Sequence, residues 1–130
     1  MDFGLHSEDE LASKVIGMAI DVHTKLRPGL LENAYKQVMA RKLQNAGFFI
    51  EVEKALPLEL DDIRIAMAYK IDILVERKLV LELKSVERLS DLHMAQTLNY
   101  LKLGKYKLAL LINFNVTRLK FGLQRVINSK

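Results

Sequence analysis

The chain has 130 residues, half of them apolar and 28% charged, a balance that suits one globular domain with a real core. Its longest apolar run, Leu108 to Ile112, is far too short to cross a bilayer, and Met1-Asp2-Phe3 does not start like a signal peptide. The absence of cysteine excludes disulfides and thiolate zinc sites and fits the cytoplasm, while a net charge of +4 and a pI of 9.3 weakly favour a polyanionic partner.

Ser7 and Glu10 form a capping-box signature, and Leu11, Val15, Met18, Ala19, Val22 and Leu26 follow as an apolar stripe at helical spacing. Arg27-Pro28-Gly29 ends this first helix. A second is predicted from about Leu30 to Ala46, burying Leu31, Ala34, Tyr35, Val38 and Leu43, with Gly47 as its cap. Phe48, Ile50 and Val52 alternate with Phe49, Glu51 and Glu53, as in a half-buried strand, and Pro57 marks an edge or a break. Asp61-Asp62 reads as a turn and Ile63 to Ala68 as another strand. Tyr69 to Val75 and Leu79 to Lys84 then form two apolar strands joined by the charged turn Glu76-Arg77-Lys78.

Ser90 and Asp91 open a third long helix, closed by Gly104. Tyr106 to Ile112 is a short apolar strand of the kind buried mid-sheet between helical layers. Thr117 to Ile127 fits either an edge strand or a short helix. The order predicts an α/β fold, a mixed sheet of four to five strands flanked by helices, in a single domain over residues 1–130.

Asp72 stands inside an apolar run, where strands disfavour Asp. Glu82 and Lys84 are two apart and leave a strand on the same face. A hairpin centred on Arg77 sets Asp72 opposite Glu82, gathering two carboxylates and a lysine into one patch. Hard cations such as Mg²⁺ take oxygen ligands and keep several waters, so these two acids with the Leu83 carbonyl would suffice. The plainer alternative is that Glu82 and Lys84 are the solvent-facing half of an alternating strand.

Glu32 and Tyr35 are one helical turn apart just after Gly29, an arrangement that equally describes an exposed acid beside a core tyrosine. Gln96 and Tyr100 are similarly spaced, and Gln96 is either a core hydrogen-bonding group or a site residue. His6, His23 and His93 lack metal-ligand spacing and read as structural, with His23 placed to face the same cleft as the Gly29 break. Lys102, Lys105, Lys107, Arg118, Lys120 and Arg125 suit phosphate contacts if they share that face. Gly-rich phosphate loops and Ser or Cys nucleophile motifs are absent.

Gly29-Leu30-Leu31-Glu32-Asn33-Ala34-Tyr35 matches the pattern of the GxxExxY protein family. Val22-His23, Tyr69-x-x-Asp72, Glu82-Leu83-Lys84, Gln96-x-x-x-Tyr100, Leu101-Lys102-Leu103 and Leu111-Ile112-Asn113-Phe114 follow in that family's order, over about residues 10–127. The chain thus resembles this family of the PD-(D/E)xK nuclease-like superfamily, and the resemblance implies a restriction-endonuclease-like core. It further implies a Mg²⁺- or Mn²⁺-dependent nuclease leaving 5′-phosphate products. Asp72 and Glu82 would be its metal-binding acids, Lys84 its catalytic lysine, Glu32 a helix-borne third acid and Gln96 a supporting residue. Tyr35 and Tyr100 would serve packing or substrate contact. Ile71 stands where the superfamily's name has proline. The implied partner is nucleic acid, DNA ahead of RNA, and an enzyme this small that cuts both strands would often work as a homodimer. A non-catalytic nucleic-acid- or partner-binding module on the same fold is the alternative.

Overall fold

A computed structural model, describing residues 7–129, gathers five strands into one mixed sheet; Met1–Phe3 and His6 lie outside the described residues. Two helices, α1 (Glu8–Leu26) and α2 (Glu32–Asn45), precede β1 (Ile50–Leu60), β2 (Ile63–Val75) and β3 (Leu79–Lys84). Next come α3 (Asp91–Gly104), β4 (Leu108–Asn113), a 3-10 turn (Leu119–Gly122) and β5 (Leu123–Ile127). The strands lie in sequence order. All neighbours are antiparallel except β3 and β4, which run parallel because α3 carries the chain back across the sheet.

Each face of the sheet is sealed by a different part of the chain. Leu79, Leu81 and Leu83 of β3, with Leu108, Leu110 and Ile112 of β4, pack under α1 and α2. The alternate residues Val80, Ala109 and Leu111 pack under Tyr100 and Leu101 of α3. Every residue of β4 is buried, which is why its sequence is continuously apolar. No helix among the described residues is long and apolar enough to cross a membrane.

The capping box of α1 forms as expected, Ser7 Oγ accepting the Glu10 N–H and Glu10 Oε1 the Ser7 N–H. Leu11, Val15, Ala19 and Val22 are buried along its stripe, Met18 and Leu26 only partly, and Ala12 and His23 join them. In α2 the expected core contact at Leu31 is absent: this residue is the extended N-cap and 82% exposed, and Met39 is buried instead. A single 13-residue β2 replaces the two strands expected before the turn. Its outer half pairs with β1 alone, and Pro57, on this edge strand, sits where the β1–β2 register shifts. Gly104 does not close α3 but ends it in helical conformation; Lys105, at φ 61°, makes the left-handed stop. Gly104 is needed there because a Cβ would lie 2.2 Å from the Tyr106 ring. The tail resolves its two alternatives by using both, a 3-10 turn and then the edge strand β5.

Candidate active site

Val75 pairs with Leu79 and Ile73 with Leu81, so the β2–β3 hairpin is centred on Arg77 and sets Asp72 opposite Glu82. The ladder stops one pair short of them. In its place the Asp72 N–H donates to Glu82 Oε2 (2.8 Å), and Asp72 Oδ2 accepts from the Leu83 N–H (2.8 Å). The two side chains substitute for backbone partners where the strands part. The side-chain alternation breaks here while the β1–β2 register is kept: Ile71 and Leu74 both pack on the α3 side, although two residues separate them, and Ile73 packs on the other. On β1 the opposing Glu53 has φ 53° and drops out of the pairing.

This parting of β2 and β3 exposes the acids to both helical layers. From α2, Lys36 Nζ reaches Asp72 Oδ1 (3.8 Å) and Glu53 Oε2 (3.6 Å). Glu82 is only 4% exposed, and burial, followed by the Asp72 charge, pushes its carboxyl up to about 8. Burial also raises Asp72, against the Leu83 N–H, Lys36 and Lys84, which favour its charged form. Glu32, the first residue of α2, is raised by burial and by Asp72, with Lys84 the strongest opposing influence. Two lysines are therefore set among three acids that resist ionising together.

The Gly29–Tyr35 segment is a clamp that fixes where α2 begins. Gly29 takes φ 109°, accessible to glycine at little cost. The Tyr35 hydroxyl donates to the Arg27 carbonyl (2.5 Å) and accepts the Leu30 N–H (3.2 Å), and its ring stacks on Phe114 with centroids 4.5 Å apart. Ser85, next to Lys84, donates to the Leu30 carbonyl (2.6 Å). The turn is thus tied to the end of β3, and Glu32 is held near Lys84. Tyr35 is fully buried, which makes it a packing residue.

On the α3 side Lys84 opens onto a groove of about 650 Å³ between the outer half of the β1–β2 hairpin and α3. Gln96 and Tyr100 line it, together with Leu58, Tyr69, Leu92, His93, Asn99, Lys102 and Leu103. His23 is not brought here. It is buried under α1, its Nε2 donates to the Val116 carbonyl (2.7 Å), and it borders a separate depression with Arg118 and Lys120. Of the basic residues with phosphate-binding potential, Lys102 lines the groove, whereas Arg125 pairs with Asp9 at 2.7 Å. Lys36 was missed from sequence, and His93, read there as structural, lines the groove. Lys36 sits one turn after Glu32, and helical spacing from that suspected residue is the signal that would have found it; His93 lies three residues before Gln96.

The model of the PD-(D/E)XK nuclease superfamily matches residues 9–126 of this chain. The chain belongs to the PD-(D/E)XK nuclease superfamily. Its five-stranded mixed sheet flanked by three helices agrees with the restriction-endonuclease-like fold of that superfamily. No curated protein and no solved structure matches the chain.

Nucleases of this superfamily generally use divalent metals. Among the described residues no three His, Cys, Asp or Glu converge as a ready-made metal cage. What converges is an oxygen-only pair, the half-buried Asp72 and the buried Glu82, each with one oxygen on a backbone N–H. That donor set fits Mg²⁺, which is usually held by one or two carboxylates and keeps several waters, and a cation would relieve the mutual repulsion of the acids.

Proposed function

We propose that this chain is a Mg²⁺- or Mn²⁺-dependent nuclease of the GxxExxY type, hydrolysing phosphodiester bonds of DNA ahead of RNA in the cytoplasm, with residues 1–130 acting as one nuclease domain. The observation that carries the reading is the Asp72–Glu82 pair, interlocked across β2 and β3, with Lys84 projecting from the same strand face as Glu82 into a groove. Asp72 and Glu82 would hold the metal, with the Leu83 carbonyl and Glu32 completing its shell. When bound, such an ion stabilises charge on the scissile phosphate and acidifies water. Lys84 directs its ammonium at the attacking water and the phosphate oxygens, and Gln96 supports that end of the groove from α3. Lys36 holds Asp72 in place and favours its ionised form, while Tyr35 fixes the start of α2 and so the approach of Glu32. A homodimer would cover the exposed apolar residues Leu60, Ile63, Ile65 and Met67 at the tip of the β1–β2 hairpin.

The test is incubation of the protein with labelled single- and double-stranded DNA and RNA in Mg²⁺, Mn²⁺ or EDTA, beside Asp72→Ala and Lys84→Ala. Metal-dependent cleavage lost in both variants is expected; equal cleavage by the variants would sink the assignment. The alternative, a binding module without turnover, is favoured by one feature. Both acids have a hydrogen-bonding task of their own in the hairpin and do not form a three-ligand cage. Metal-insensitive binding with no cleavage would select it.

A further inference from the structure

The groove beside Lys84 has a chemistry that the acid pair does not explain. Its lining contains no acid; it carries Lys84 and Lys102, the amides of Gln96 and Asn99, and the apolar walls Leu58, Leu92 and Leu103. Tyr69, on the outer half of β2, is 39% exposed, and its ring rests against that of Tyr100, centroids 5.6 Å apart and planes tilted by 45°. Tyr100 is 8% exposed and fixed within the α3 core cluster, so the outer ring is backed by an immobile one. Across the groove Leu92 is 76% exposed, an unusual investment in open apolar surface one helical turn from Gln96.

We infer that this groove receives one unstacked nucleotide next to the scissile phosphate, its base lying on Tyr69 between Leu58 and Leu92 and its flanking phosphate meeting Lys102. Single-stranded or frayed nucleic acid is then the substrate class. Inside an intact duplex base faces are covered by neighbouring bases, so a tyrosine ring and leucine walls are of use only to a base that has left the stack. The groove volume of about 650 Å³ lies in the range of a site for one small ligand. Lys102, with no acid among the lining residues, supplies charge complementarity to phosphate, and the amides can read base edges. The inference rests on the nuclease reading for the position of the scissile bond, but the groove can be tested by binding alone.

Fluorescein-labelled 12-nucleotide single strands of DNA and RNA, and the matching blunt DNA duplex, would be titrated with the full chain in EDTA by fluorescence anisotropy. Wild type is expected to prefer the single strands. Tyr69→Ala should weaken that binding roughly 5- to 100-fold, the worth of one stacked base, while Tyr69→Phe keeps it. Leu92→Glu, an exposed position at which folding is not at stake, should weaken it too, and Lys102→Ala should lower the salt slope by about one. Equal affinity for duplex and single strand, absence of binding, or indifference to both Tyr69→Ala and Leu92→Glu overturns the inference. Cleavage in Mg²⁺ is scored separately. Selective binding without cleavage leaves the groove standing and removes the nuclease reading; Asp72-dependent cleavage without single-strand preference does the reverse.

Discussion

Replacing Glu82 by Gln should make the metal-free protein more stable at pH 8 and leave it unchanged at pH 5. The Glu82 carboxyl, 4% exposed beside Asp72, is raised from 4.5 to about 8 in the folded state. Because the folded value lies above the unfolded one, the protonated group's contribution is complete below pH 4.5 and is lost as pH rises through about 8. At about 1.4 kcal/mol per tenfold, the ceiling on that loss is about 5 kcal/mol. Asp72 shares in the repulsion, so removing one charge of the pair should return roughly 1–3 kcal/mol at pH 8. A glutamine oxygen can still accept the Asp72 N–H, so the hydrogen bond at 2.8 Å is not forfeited. For a chain of this size the gain is roughly 3–12 °C in Tm. The assay is thermal and urea unfolding of wild type and Glu82→Gln in EDTA at both pH values. Adding Mg²⁺ at pH 8 should raise the wild-type Tm and move the variant little, since binding to the folded state alone stabilises it. A gain no larger at pH 8 than at pH 5 would refute the reasoning.

Tyr35→Phe removes the hydroxyl shared by the Arg27 carbonyl and Leu30 N–H and should cost about 1–2 kcal/mol in urea melts, with a larger proportional loss of cleavage because Glu32 is no longer held. Lys36→Met removes the cation 3.8 Å from Asp72 Oδ1, leaving the Leu83 N–H and Lys84 to oppose the raising effects of burial and Glu53. The acid limb of the pH–rate profile should therefore move to higher pH; an unmoved or lowered limb contradicts the electrostatic role. Gly122→Ala would put a Cβ 2.1 Å from the Asn113 carbonyl oxygen at a buried position of the 3-10 turn and should cost about 1–3 kcal/mol or more, read by denaturant unfolding.

The hairpin was legible because parity about Arg77 is arithmetic: once Glu76-Arg77-Lys78 is the turn, Asp72 must face Glu82. The buried strands and the caps at Ser7 and Ser90 were legible for similarly local reasons. What escaped depended on tertiary placement. Leu31 continues a helical apolar spacing, but the chain is extended there because the Tyr35 hydroxyl ties up the turn before it. The continuity of β2 was hidden by the register shift opposite Pro57. Lys36 looks like any solvated helix charge until α2 is laid beside Glu53 and Asp72, where the pairing is interrupted. His23, read as structural but placed to face the cleft because it precedes Gly29, is turned inward to the Val116 carbonyl.

Asp72 and Glu82 invite two explanations that a deletion cannot separate. Each carboxylate fills a gap in the β2–β3 ladder, and each is held in a place that resists its charge. Asp72→Ala removes charge and hydrogen-bond acceptor together, leaving the Leu83 N–H without its side-chain partner at a cost of about 1–3 kcal/mol. Lost activity in that variant could therefore reflect a loosened hairpin. Asp72→Asn keeps an oxygen for the Leu83 N–H and removes only the charge. If the acid pair exists to close the ladder, this variant should retain stability and whatever function the chain has. If the pair exists for its charge, Asp72→Asn should match wild-type stability within about 1 kcal/mol at pH 6, and exceed it at pH 8 in EDTA. It should also lose both the Mg²⁺-induced rise in Tm and metal-dependent cleavage. Amides could make the same two hydrogen bonds, so the response of Asp72→Asn to Mg²⁺ decides whether the acids are there for their charge.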